Sequence, residues 1–103
     1  MHNLYDRTFK LWDYSPSFNR LLLRSPQNQH NGFNLDIIFY GVQYLDIASL
    51  VSEVEIIEED IVDDTTYRIF VLKTKQGDYK IQAASYKISQ SDTDIFESPL
   101  SKL

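Results

Sequence analysis

A two-residue hydrophobic period, repeated in short segments along much of the chain, is the feature that most restricts its fold. Alternation of this kind places apolar side chains on one side of a pleated ribbon and polar ones on the other, as a half-buried strand requires. Arg7 to Tyr14 sets Phe9 and Leu11 on one face, with Lys10 and Trp12 on the other. After the turn tripeptide Ser15-Pro16-Ser17, Phe18 to Arg24 alternates Arg20, Leu22 and Arg24 against Leu21 and Leu23, which predicts a hairpin. Ser25 to Phe33 has almost no apolar side chain and contains Asn31-Gly32, so a mobile loop is expected there.

Asn34 to Val42 is apolar on both faces apart from Asp36, the pattern of a strand inside a sheet, and Gly41 marks a bulge or close backbone approach. From Gln43 the period is ambiguous, because Tyr44, Ile47, Val51 and Val54 have helical spacing; a short helix around Asp46 to Ser52 is the expectation. Alternation resumes over Glu53 to Ile61, with Val54, Ile56 and Ile61 expected inward. It continues through Tyr67 to Thr74, and Gln76-Gly77-Asp78 closes a hairpin onto Tyr79 to Ile88. In that last segment Tyr79, Ile81 and Ala83 have one parity and Tyr86 and Ile88 the other, which predicts a bulge at Ala84-Ser85.

With 103 residues there is room for one domain. The expected fold is mostly β, a single antiparallel domain over residues 1–103 of about six strands. It forms a two-layer sandwich or partly open barrel with at most one short helix, and residues 1–5 and 89–103 are frayed ends. No cysteine is present, which removes disulfides, thiolate metal sites and a cysteine nucleophile. Core packing alone holds a domain of this size, and a homodimer is compatible with the small stability margin it leaves. The start lacks a basic end followed by an apolar stretch, and apolar runs are short, so a cytoplasmic protein with no membrane contact is expected.

Charge is the least even feature. Glu53, Glu55, Glu58, Glu59, Asp60, Asp63 and Asp64 are seven of the fifteen acidic residues, and no Lys or Arg interrupts them. A negative stripe steers and binds a cationic surface; its plainer role is to keep a sheet edge solvated and unpaired. Arg68, Lys73, Lys75, Lys80 and Lys87 form the opposite excess, and pairs such as Glu55 or Glu58 with Arg68 would neutralise part of both. Standing alone, that basic hairpin with Tyr67, Tyr79 and Tyr86 has the composition to follow a phosphate backbone, although the net charge of −5 opposes nucleic-acid binding. A hollow barrel carrying a small ligand is a further alternative.

Aromatic residues supply a second candidate surface, with Trp12, Arg20, Arg24 and Tyr40 on the outer face of a sheet where a protein partner or a second packing layer would lie. His2 and His30 fall in the expected flexible start and loop, so no metal site is expected. Asp92-Thr93-Asp94 lacks the glycine and terminal glutamate of a calcium loop. No nucleophile elbow, P-loop or dinucleotide fingerprint is present. Neither a cofactor nor enzymatic activity is expected.

The runs Leu21-Leu22-Leu23-Arg24, Asn34-Leu35-Asp36-Ile37 and Phe39-Tyr40-Gly41-Val42 resemble small uncharacterised bacterial β proteins, some of them like immunity proteins of polymorphic toxin systems. The resemblance covers the first half of the chain and implies a cytosolic acidic binder that blocks a toxin; joined to the acidic stripe, its sharpest version is an inhibitor of a basic toxin. It carries over no functional residue to the second half.

Overall fold

The computed structural model describes residues 4, 6–26, 32–59 and 68–91, and among these it contains nine strands and no helix. The strands are β1 (Thr8–Ser15), β2 (Arg20–Ser25), β3 (Asn34–Tyr40), β4 (Tyr44–Asp46), β5 (Leu50–Ser52), β6 (Glu55–Glu59), β7 (Arg68–Thr74), β8 (Gly77–Ala83) and β9 (Ser85–Ser91). They build two antiparallel sheets, one ordered β5-β1-β2-β3-β9 and the other β4-β8-β7-β6. Neither closes on itself, so the architecture is a two-layer sandwich rather than a barrel.

One contiguous cluster of buried side chains lies between the sheets. Phe9, Leu21, Leu23, Ile37 and Phe39 come from the five-stranded sheet, and Phe70, Leu72 and Ile81 from the four-stranded one. These are the inward parities of the alternating segments, and burial of such side chains contributes roughly 1.5–3 kcal/mol each. Phe39, Phe70 and Tyr86 bridge the layers as an aromatic group, with ring centroids 5.1–5.9 Å apart.

The β1–β2 hairpin forms around residues 16–19, with Asn19 in the left-handed region that asparagine tolerates. β3 sits between β2 and β9 and is buried on both faces, as its sequence demands. The chain then passes between the sheets four times, and here the sequence expectations fail. Gly41, at φ 63°, turns the chain out of β3 toward β4 in the other sheet, so it marks a crossing rather than a bulge.

The expected helix over Asp46 to Ser52 is absent; β4 and β5 are three-residue strands in opposite sheets. No bulge repairs the register at Ala84-Ser85 either. β8 ends at Ala83 in one sheet and β9 begins at Ser85 in the other, with Ala84 N–H donating to the Tyr40 carbonyl at 2.9 Å. Along β8 and β9 the inward positions are odd up to Ala83 and even from Tyr86, and the change of layer at Ala84 separates the two runs. The bulge that does occur lies in β1, between Leu11 and Asp13, and brings Asp13 opposite Leu22, while Trp12 keeps the outer face that alternation gives it. Residues 89–91 belong to β9, whereas 1–3, 5, 27–31 with His30, 60–67 and 92–103 lie outside the described residues.

The crossing from β5 to β6 is anchored at Ser52. Its N–H donates to Gln76 Oε1 at 2.8 Å, Gln76 Nε2 donates to Ser52 Oγ at 3.0 Å, and the Lys75 N–H donates to the Ser52 carbonyl at 2.9 Å. These bonds hold the next residue, Glu53, at φ 54°, where a side chain costs roughly 1–2 kcal/mol. Glu53→Gly is therefore expected to raise stability by up to about 1 kcal/mol after its entropy loss in the unfolded chain, and Glu53→Val to lower it by more than about 1 kcal/mol. Urea denaturation checks both; a lower midpoint for the glycine variant would mean that the strain is relieved elsewhere.

Candidate functional site

Two surfaces correspond to the candidates in the sequence. The first is the acidic segment, which supplies β6, an edge of the four-stranded sheet. Ile56 packs into the core, so alternation sends Glu55, Ile57 and Glu59 to the outer face. Ile57 is 36% exposed between the two carboxylates. Glu58 has the inward parity but sits beyond the apolar cluster, where it forms an exposed ion pair with Arg68. One of the cross-strand neutralisations expected from the sequence is therefore present. Glu53, Glu55 and Glu59 have no ion-pair partner among the described residues, although Glu55 stands opposite Lys73 in the β6–β7 register. Asp60, Asp63 and Asp64 lie outside the described residues.

The second surface is the outer face of the five-stranded sheet, where Trp12, Arg20, Arg24 and Tyr40 do come together. Leu22 pairs with Ile38 in register, and Trp12 and Tyr40 pack on them. The Arg20 guanidinium lies 5.5 Å from both the Phe18 and Tyr40 ring centroids, and the Arg24 guanidinium 5.4 Å from that of Trp12.

Arg24, however, is not presented to a partner. It is 0% exposed and engages Asp36, itself 2% exposed, through Nε to Oδ1 at 2.7 Å and Nη2 to Oδ2 at 3.1 Å. This two-point ion pair, roofed by Trp12, makes Arg24 part of the scaffold, and the exposed share of the face falls to Phe18 and the half-buried Trp12, Arg20 and Tyr40. The signal for the pair was Asp36, the single charge in a strand otherwise apolar on both faces.

Arg7 is a further buried cation that composition did not single out. Its Nε donates to Ser25 Oγ at 2.8 Å and its Nη2 to the Ser25 and Phe33 carbonyls at 2.9 and 3.0 Å, while its guanidinium lies 5.0 Å from the Phe33 ring centroid. Burial pushes its pKa below the ordinary value, and the Asp36 charge opposes that shift. Arg7 thereby ties the end of β2 to the start of β3, again a structural task.

The basic residues do not form one patch. Lys73 and Lys80 share the outer face of the four-stranded sheet with Glu55 and Asp46, their register partners, and Arg68 is paired with Glu58; Lys87 belongs to the other sheet. Among the described residues, no three His, Asp or Glu side chains converge as metal ligands, and no helix is long and apolar enough to cross a membrane. Comparison with protein-family models, curated proteins and solved structures finds no match.

Proposed function

We propose that this chain is a non-enzymatic binding module that engages a basic surface of another protein through the acidic edge strand β6. In its sharpest form the partner is a cationic toxin and the chain its immunity-type inhibitor in the cytoplasm. The observation carrying this reading is the display of Glu55 and Glu59 on either side of exposed Ile57, at a sheet edge and without ion-pair partners among the described residues. Carboxylates so placed raise the encounter rate with a cationic surface, and an apolar contact between them adds residence time.

A seven-residue peptide alternating lysine with valine is a defined probe of this edge. Its addition is expected to shift the backbone amide resonances of residues 55–59, with affinity falling as salt rises. The double variant Glu55→Lys with Glu59→Lys should weaken that binding at least about tenfold at low salt while leaving the melting temperature within a few degrees. Unmoved β6 resonances, or equal binding by the double variant, would overturn the proposal.

A further inference from the structure

We infer that a second copy of this chain adds to the edge of β9 that has no strand neighbour among the described residues, joining two five-stranded sheets into one continuous ten-stranded sheet across a two-fold axis. Strand edges are templates for pairing, and the four edges of this sandwich differ greatly as templates. β4 and β5 have three residues each. β6 has five, of which Glu55, Glu58 and Glu59 are acidic, so pairing with its own copy would gather six carboxylates in a chain already carrying −5. β9 has seven residues, Ser85 to Ser91, and none is acidic. Among the described residues its sole strand neighbour is β3.

Two observations favour a copy of this chain over another occupant. An antiparallel strand that pairs along its whole length with its own copy has a single register, and for β9 that register centres on Ile88. Ile88 then meets Ile88 of the second copy, and Lys87 meets Ser89, so the one charge in the strand avoids its like.

The other observation is Tyr86. Its ring belongs to the interlayer aromatic group, 5.8 Å from Phe39 and 5.1 Å from Phe70, yet the residue is 37% exposed because no described strand lies beyond it. In the centred register it faces Gln90 of the second copy, which covers the open side of this core residue. This interface is separate from the acidic edge and does not depend on it.

Analytical ultracentrifugation from micromolar to millimolar protein tests the inference, with charge placed at position 89. Ser89→Glu sets two carboxylates against the two Lys87 side chains and is expected to tighten dimerisation roughly tenfold; Ser89→Lys gathers four cations and should weaken it by a similar factor. Because residue 89 also stands opposite Asp36 in the β3–β9 register, thermal melts below the association range confirm that each variant folds. A monomer at every concentration would overturn the inference, as would a dimer whose constant ignores both substitutions. As a second readout, amide exchange across residues 85–91 of the unaltered chain should slow as concentration rises; unchanged exchange in a dimeric sample would place the interface elsewhere.

Discussion

Asp36→Ala is expected to destabilise the protein by about 3–5 kcal/mol, a large share of the roughly 5–15 kcal/mol by which small domains are stable. The cause is the charge that remains rather than the bond that is lost. Arg24 is fully buried beneath Trp12, and without the Asp36 carboxylate the cation loses its two-point ion pair while it is still held out of water, unless the outer face breaks open to reach it. For a domain near this length such a loss lowers the melting temperature by upwards of about 10 °C.

Replacing both partners with apolar residues, as Arg24→Met with Asp36→Val, should restore stability to within about 1 kcal/mol or exceed the starting value, because the desolvation cost of both ions disappears. Trp12 is the only tryptophan and stacks on Arg24, so its fluorescence during urea denaturation reports directly on this face. A single variant that costs less than about 1 kcal/mol would show that Arg24 is compensated by other groups. A double variant as unstable as the single would show that the polar pair is needed for the packing around it.

Elements whose side chains address the core from one fixed direction were legible in the sequence. β1 to β3 and the β7–β8 hairpin follow their alternation, and β3 was recognisable as interior because both of its faces are apolar. Legibility ended where the chain changes sheets. Tyr44, Ile47, Val51 and Val54 mimic a helical period because they belong to two three-residue strands and the connections around them, which approach the core from different layers. The parity reversal between Ala83 and Tyr86 has the same origin: a bulge and a change of layer leave the same trace in one dimension, and only the pairing partners distinguish them.

The candidate surfaces were legible in part. Composition located the acidic segment, but alternation about Ile56 decides that Glu55 and Glu59 face outward while Glu58 turns to Arg68. Trp12, Arg20, Arg24 and Tyr40 do share one face. The burial of Arg24 depends on its register with Asp36 across the β2–β3 connection, which local spacing does not contain. The five basic residues read as one hairpin are divided by the same change of layer at Ala84.

The other large effect is expected at the aromatic group between the layers, where burial and not ring chemistry sets the order. Phe39 is 0% exposed and touches both Phe70 and Tyr86, so Phe39→Ala should cost about 3–5 kcal/mol, the loss of the ring plus the cavity that two sheets cannot collapse to fill. Tyr86→Ala removes a larger side chain but should cost only about 1–2 kcal/mol in dilute solution, because the residue is already partly exposed and water replaces part of the ring. Urea midpoints at constant slope measure both. Equal costs would mean that the β9 edge is closed to water in the monomer. If a second copy covers that edge, the cost of Tyr86→Ala must rise with protein concentration, since the unaltered dimer gains stability by mass action and the variant gains less. The cost of Phe39→Ala has no such dependence while the variant's β9 edge keeps its geometry, so the concentration dependence of the first relative to the second separates edge pairing from simple core packing.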